Sequence, residues 1–185
     1  DSGIKDDYKN GQSNSISPYW ARVWPAAIGL CHFLQDNLHY IENKKVLELA
    51  AGLGLPGIFC APYADQVCIS DIVPQAVQLA RQSALHNKLS NIDCQVIDWN
   101  YLQQVNVPDV LLLSDINYEP AKYEKLLSVI SYFLVNQCTI ILSTPQRLIA
   151  KDFITPLLVY CKEQTAKAIE HENQKADISI FVLKK

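Results

Sequence analysis

The sequence predicts an α/β fold of the Rossmann-like three-layer type, with a seven-stranded, mainly parallel sheet whose last strand is antiparallel. One observation behind this prediction is the order of elements: apolar, strand-like runs alternate with helical segments, and a hairpin closes the chain. Repeated strand–helix crossovers require parallel strands with helices on both faces of the sheet. The other is a glycine-rich turn after the first strand, which is how nucleotide-binding βα units begin.

Composition indicates one globular domain. The 185 residues are 49% hydrophobic and 19% charged, which is enough apolar material for a real core. We expect residues 1–17, which are polar, to form a flexible lead-in and residues 18–185 to form a single domain. Six cysteines without a Cys-x-x-Cys pair favour reduced thiols in a cytoplasmic protein and predict no metal site.

Charge and hydropathy narrow the classes of partner. The net charge is −3 and no cluster of lysine and arginine stands out, so we predict no nucleic-acid binding. No apolar run reaches the ~18–20 residues that a membrane helix needs, so we predict no membrane association. The expected oligomeric state is a monomer or a weak dimer.

The first predicted helix covers residues 25–38, with Pro25 in the first turn, where a missing N–H costs little. Trp20 and Trp24 precede it, and they either pack this helix on the body of the protein or contact a ligand. An apolar strand at 46–50 comes next.

A glycine-rich turn follows that strand and leads into a short helix at 55–62. Gly52, Gly54 and Gly57 match the Gly-x-Gly-x-x-Gly spacing of dinucleotide-binding turns, which alone is weak evidence. Small residues allow a ligand to approach the backbone, and the helix N-terminus offers unpaired N–H groups. Glu48 lies on the strand just before the turn.

The rest of the chain continues the alternation. Strands are predicted at 66–70, 92–97, 109–116, 138–143, 165–170 and 177–183. Helices are predicted at 74–87, 123–134 and 147–161. The helix at 74–87 has apolar residues at helical spacing. The strand at 109–116 lacks polar alternation and should be buried on both faces. Pro156 should interrupt the last helix, and residues 173–175 should join the final hairpin.

Polar and aromatic residues stand at the ends of neighbouring strands, where ligands bind in open α/β sheets. Asp71 comes 17 residues after Gly54 and can accept hydrogen bonds from a ribose diol; the alternative is a cap for the helix near Pro74. Asp98 can accept from an exocyclic amine. Trp99 offers a flat face to adenine, unless it is a core aromatic.

The fourth strand ends in Ser114-Asp115-Ile-Asn-Tyr118. A carboxylate such as Asp115 can orient an amine that is to be methylated, and the ring of Tyr118 tolerates a cationic or methylated amine. Transfer of a methyl group to an amine is a displacement reaction, and we expect the proximity of the two reactants to contribute most to its rate. The alternative for Tyr118 is a loop aromatic that covers the next helix.

Together these segments resemble the seven-strand class I methyltransferases that use S-adenosyl-L-methionine (SAM), in particular the methyltransferase-16 group of Asp-x-x-Tyr lysine methyltransferases. The segments that carry the resemblance are 23–27, 46–58, 69–71, 98–99 and 114–119. The chain departs from the family pattern by having Ala50 for Gly, Leu53 for Thr and Ser114 for Ala.

The resemblance implies roles for individual residues. The cofactor-binding residues it implies are Trp24, Glu48, Ala50, Ala51, Gly52, Gly54, Asp71, Asp98, Trp99 and Ser114. Among these, Trp24 and the turn at 50–52 would line the methionine end of SAM, Asp71 would hold the ribose, and Trp99 would pack on the adenine. Asp115 and Tyr118 would form the catalytic acceptor motif.

The function predicted is SAM-dependent methyl transfer to a nitrogen, with a protein lysine as the favoured acceptor. A small-molecule amine N-methyltransferase shares the same core and is the nearest alternative. A non-catalytic SAM-binding scaffold is another, motivated by Ala50. An NAD-dependent oxidoreductase is disfavoured, because such an enzyme would more often continue with another βα unit than close with a hairpin.

Overall fold

The computed structural model describes residues 18–147 and 150–185. The predicted lead-in at 1–17 lies outside the described residues, as do two positions near the start of the predicted helix at 147–161. Among the helices described, none is both long and apolar enough to cross a membrane.

Seven strands form one sheet, and this confirms the predicted architecture. The strands are β1 (Lys45–Leu49), β2 (Gln66–Asp71), β3 (Ile92–Val96), β4 (Val110–Ser114), β5 (Thr139–Pro145), β6 (Cys161–His171) and β7 (Gln174–Leu183). Their order across the sheet is β3-β2-β1-β4-β5-β7-β6. The pairings from β3 to β5 are parallel, whereas β7 is antiparallel to both neighbours. The chain order therefore reverses between β1 and β4, where a ligand crevice is expected.

Helices cover both faces of the sheet. They are α1 (Pro25–Asp36), α2 (Leu55–Cys60), α3 (Pro74–His86), α4 (Tyr123–Val135) and α5 (Lys151–Ile154). Short 3₁₀ segments occupy Tyr19–Ala21 before α1 and Trp99–Gln104 between β3 and β4. Pro25 begins α1 as predicted, with Trp24 as its N-cap residue.

The predicted long helix at 147–161 is wrong in extent. In the described part, α5 has one turn, and a 3₁₀ segment continues it over Thr155–Tyr160. Pro156 lies in the first turn of that segment, because a proline inside an α-helix removes a hydrogen bond and clashes with the preceding turn. Leu157 is buried there, so the segment still packs on the sheet.

The closing hairpin is longer and tighter than predicted. Strands β6 and β7 pair from Cys161 with Leu183 to His171 with Gln174, so the predicted loop at 173–175 is wrong. The turn consists of Glu172 and Asn173, whose φ values are 48° and 62°. Two consecutive positive φ values define the two-residue turn that matches the twist of a hairpin. The sequence obscures this turn because it lacks glycine.

The core lies on both sides of the sheet. On one face α1 contributes Leu30 and Leu34 to a cluster that includes Ile178 of β7, and on the other α4 contributes Phe133. Strand β4 supplies both clusters, since Leu112 belongs to the first and its neighbours in the strand to the second. As predicted, β4 is buried on both faces, and its carboxyl end is held rigidly at the ligand crevice.

Candidate functional site

A cavity of about 540 Å³ lies at the carboxyl ends of the central strands, within the ~300–1,000 Å³ range of small-molecule pockets. The segment before α1 forms its other wall. Nine predicted site residues line it: Trp24, Ala50, Ala51, Gly52, Asp71, Trp99, Ser114, Asp115 and Tyr118. The other three, Glu48, Gly54 and Asp98, do not line it. The cavity therefore lies where the sequence predicts a ligand site, at the carboxyl ends of neighbouring strands.

The turn after β1 follows a left-handed path. Ala50 and Gly52 each have a φ of 55°, and Gly54 has 72°. A Cβ atom on Gly52 would lie 2.8 Å from the carbonyl oxygen of Trp20, so only glycine fits. Ala50 takes the same conformation with a side chain, at a cost of roughly 1–2 kcal/mol. The turn thus presents its backbone to the cavity, and Ala50 stores strain there.

Glu48 supports the turn from beneath instead of facing the cavity. It is buried, and its Oε2 accepts a hydrogen bond of 2.7 Å from the N–H of Gly57 in α2. Burial raises the pKa of Glu48 to about 8, the Gly57 N–H lowers it, and the nearby Asp71 raises it. With a pKa of about 8, Glu48 can hold α2 as a neutral acid at moderate pH. Its Oε1 accepts no hydrogen bond from the described part of the chain.

Asp71 closes β2 and lines the cavity. Its Oδ2 accepts from the N–H of Gly52 at 2.8 Å, and its Oδ1 accepts from the N–H of Val73 at 2.9 Å. Val73 is the N-cap residue of α3, so the predicted capping alternative is partly realised through the loop that enters this helix. A carboxylate has about four acceptor positions, so both oxygens can still accept from a ligand.

Asp98 and Trp99 separate in the structure. The Oδ1 atom of Asp98 accepts from the backbone and side-chain nitrogens of Asn100, both at 2.8 Å, and so caps the 3₁₀ segment. Trp99 lines the cavity and also packs against the second core cluster. The two readings of Trp99, ligand contact and core aromatic, are therefore compatible. For Asp98 the structure provides a capping role.

Asp115 stands at the opposite end of the cavity, just after β4, with a φ of 50°. Its N–H donates to the carbonyl of Ser143 in β5 at 3.0 Å, which fixes the kink at the sheet edge. Its carboxylate is buried and forms an ion pair with Arg147. Burial raises the pKa of Asp115, and the guanidinium of Arg147 opposes this rise.

An aromatic cluster of Tyr19, Trp24 and Tyr118 borders this end of the cavity. The ring of Tyr19 stacks on Trp24 with centroids 4.3 Å apart and tilts against Tyr118 at 4.8 Å. The indole N–H of Trp24 donates to the carbonyl of Tyr19 at 3.0 Å. Tyr118 is 45% exposed and lines the cavity.

Two residues of this region were missed from the sequence. Tyr19 was overlooked because it stands beside the more prominent Trp20, in a segment without periodicity. Arg147 follows β5, and the strand-end argument that found Asp71 and Asp115 would have found it had it been extended to the fifth strand. In both cases a polar side chain next to a predicted element marks the position in the sequence.

Solved structures with the same fold include methyltransferases. The N-methyltransferase NodS of Bradyrhizobium japonicum, solved with S-adenosyl-L-homocysteine (SAH), aligns over 84% of this chain and 86% of its own with a TM-score of 0.67 and 14% identity. Magnesium protoporphyrin IX methyltransferase from Synechocystis, also with SAH, aligns over 84% and 80% with a TM-score of 0.61 and 16% identity. The fold class predicted from the sequence is confirmed.

The chain belongs to the lysine methyltransferase family, whose model matches residues 7–158, and the family predicted from the motifs is thereby confirmed. Protein N-lysine methyltransferase METTL21A of Xenopus tropicalis is 31% identical over 78% of this chain and 66% of its own length. EEF1A lysine methyltransferase 3 of the same organism is 33% identical over 69% and 58%. Mouse histone-arginine methyltransferase METTL23 is 32% identical over 64% and 49%. The chain thus spans about half to two thirds of these relatives.

Proposed function

We propose that this chain transfers a methyl group from SAM to a side-chain nitrogen of a protein, with lysine as the favoured acceptor. The observation that carries the proposal is one continuous cavity with two chemically different ends. One end has a small-residue turn and the carboxylate of Asp71, and the other has the buried carboxylate of Asp115 beside the Tyr118 ring. Such a cavity can hold a donor and an acceptor together, which is the main requirement of a displacement reaction.

The first end, the donor end, offers hydrogen-bonding groups and a flat ring that fit SAM. Asp71 would receive the ribose hydroxyls, Trp99 would stack on the adenine, and the backbone at Gly52 would admit the methionine end. Support for this fit comes from Gly52, which lines the cavity with its backbone alone. When bound, SAM supplies a methyl group made electrophilic by its sulfonium.

The second end, the acceptor end, fits a nitrogen that receives the methyl group. Asp115 would accept a hydrogen bond from the amine and so aim its lone pair into the cavity. A lysine amine, with a pKa near ~10.4 in water, must first lose a proton to solvent. Tyr118 and Tyr19 would bound the acceptor and tolerate its positive charge through their ring faces. These residues bind and orient the acceptor, and proximity supplies the rate.

Arginine is a second candidate acceptor, favoured by the similarity to histone-arginine methyltransferase METTL23. A small-molecule amine is a third, since the cavity itself does not require a protein. We further propose that residues 18–185 act as a single domain in the cytoplasm, as a monomer or weak dimer, without nucleic-acid or membrane partners; the net charge of −3 supports this.

The test begins with calorimetric titration of SAM and SAH into the purified protein. Micromolar binding of both is expected, and absence of heat would favour a scaffold that does not use SAM. Transfer of a tritiated methyl group is then measured with core histones, elongation factor 1A and small amines, using the Asp115→Asn variant as the inactive control. Mass spectrometry of labelled peptides distinguishes lysine from arginine. Label in small amines alone would reject the protein acceptor.

A further inference from the structure

A charged pair ties together two chain segments at the acceptor end of the cavity. Arg147 follows β5 and contacts both oxygens of Asp115, with Nη1 3.2 Å from Oδ1 and Nη2 3.3 Å from Oδ2. The Nη2–Oδ2 contact is a hydrogen bond, whereas Oδ1 accepts no hydrogen bond from the described residues; the charged pair still holds the carboxylate in place. The Asp115 side chain is 3% exposed, whereas that of Arg147 is 38% exposed.

The two partners face the cavity differently. Asp115 lines it, but Arg147 does not. The guanidinium therefore approaches the carboxylate from outside the cavity and leaves the cavity side open to an acceptor. Each carboxylate oxygen can accept more than one hydrogen bond, so an acceptor nitrogen can bind while the ion pair stays intact.

We propose that Arg147 is a positioning residue for methyl transfer: it holds Asp115 ionised and oriented, and it balances the carboxylate charge so that the acceptor nitrogen is aimed without being locked in its protonated form. This inference rests on the proposed function. It adds a residue that acts through Asp115 and that touches neither the donor nor the acceptor.

Two physical arguments support the proposal. A buried carboxylate without a counter-ion tends to take up a proton, and a protonated Asp115 would lose much of its capacity to accept from the amine. Conversely, an unbalanced carboxylate stabilises an ammonium, which has no lone pair for methyl transfer. The ion pair avoids both outcomes, because it offers a hydrogen-bond acceptor with little net charge.

The other titratable groups near Asp115 leave this balance in place. Among the described residues they include the hydroxyl groups of Tyr19, from the segment before α1, and of Tyr118, from the loop after β4; Lys122 also lines the cavity and acts electrostatically on Tyr118. Burial, with Asp115 nearby, raises the pKa of both hydroxyls, so they stay neutral in the physiological range. Asp71 also acts electrostatically on Tyr118 and raises the pKa of its hydroxyl. Arg147 is therefore the cation that determines the charge state of Asp115.

The first experiment measures the protonation of the Asp115 carboxyl directly, without any methyl acceptor. Carbon-13 NMR follows the titration of its carboxyl in the wild type, Arg147→Gln and Arg147→Lys. The midpoint should rise by at least about one pH unit in the glutamine variant and by less in the lysine variant. Lys167→Gln, which breaks a surface ion pair with Asp36, is the matched control and should leave the midpoint unchanged. An unshifted midpoint in Arg147→Gln overturns the proposal.

The second experiment measures turnover with core histones and elongation factor 1A at saturating SAM. Arg147→Gln should lower kcat on the order of 10- to 100-fold, since small errors in position are costly in such reactions. The acid limb of its pH–rate profile should move to higher pH, and Arg147→Lys should recover much of the rate. The dissociation constant for SAM should stay the same in both variants.

The outcomes separate the two proposals. If the wild type binds SAM but methylates neither protein, the proposed function fails, and the NMR titration still decides whether Arg147 governs Asp115. If the wild type is active and Arg147→Gln matches it in rate and pH profile, the positioning role is rejected. Equal losses of SAM affinity, thermal stability and rate in both variants would indicate a purely structural ion pair and also reject it.

Discussion

The two ends of the cavity are built in different ways. The donor end uses the turn after β1 and the ends of β2 and β3, which lie close in sequence and are held by backbone hydrogen bonds to Glu48 and Asp71. The acceptor end joins Tyr19, Tyr118, Asp115 and Arg147, from segments far apart in the chain, through ring contacts and an ion pair. Side-chain contacts are easier to change than a backbone turn. The acceptor end can therefore vary with the substrate while the donor end keeps its shape.

The largest expected effect is that of Asp115→Asn, which should impair methyl transfer at the acceptor end and leave SAM binding at the donor end intact. Asp115→Asn should reduce turnover about 100-fold or more, because the amide can no longer form the charged hydrogen bond that orients the amine. Calorimetry should give an unchanged dissociation constant for SAM. A parallel loss of SAM affinity would assign Asp115 to the donor end instead.

Asp71→Ala should have the next largest effect, this time on binding. The change removes a charged partner of the ribose and also the acceptor for the Gly52 N–H. SAM affinity should fall by about 2–3 kcal/mol, measured by calorimetry. Asp71→Asn, which keeps one carbonyl oxygen, is the control and should lose less. An unaltered affinity in Asp71→Ala would exclude the ribose role.

The role of Glu48 beneath the donor end can be tested through the pH dependence of the free energy of unfolding. Its folded pKa of about 8 exceeds the ordinary 4.5, so the folded state holds a proton that the unfolded state releases between these values. Its contribution to stability is therefore lost as pH rises through that window. Glu48→Gln should gain stability relative to the wild type between pH 5 and pH 8, on the order of 3 kcal/mol. Urea unfolding at both pH values measures this, and a constant difference would contradict it.

Trp99→Ala should weaken SAM binding by about 1–2 kcal/mol, the scale of base stacking on an aromatic ring. Trp99→Phe keeps a flat face and should retain most of the affinity. Since Trp99 also packs on the core, thermal unfolding must be recorded alongside calorimetry. A loss of stability with full SAM affinity would make Trp99 a core residue only.

The smallest effect is expected at Ala50. Ala50→Gly should relieve the left-handed strain at a φ of 55° and raise the free energy of unfolding by about 1 kcal/mol or less, because glycine also loses more entropy on folding. SAM affinity should rise slightly or stay the same. A destabilised variant would show that the Ala50 methyl group contributes packing that outweighs its strain.

The fold and most of the donor end followed from sequence pattern. Alternating apolar runs and crossovers determine a parallel sheet, and the strand-end argument located Asp71, Trp99, Ser114 and Asp115 at one cavity. Glu48, Gly54 and Asp98 do not line that cavity. Proximity in sequence to a turn does not reveal which way a residue faces. In the structure Glu48 faces beneath the turn towards α2, and Asp98 faces its own 3₁₀ segment.

Sequence pattern was enough to predict the mainly parallel sheet, the order of elements along the chain and the family, because these depend on local periodicity and on glycine positions that only certain backbones can satisfy. The tertiary structure alone decided the partner of Asp115, the contact of Tyr19 with Tyr118 and the inward burial of Glu48. These contacts join residues from different elements. No local pattern encodes such distances, since they arise only when the packed core sets the strands and loops against each other.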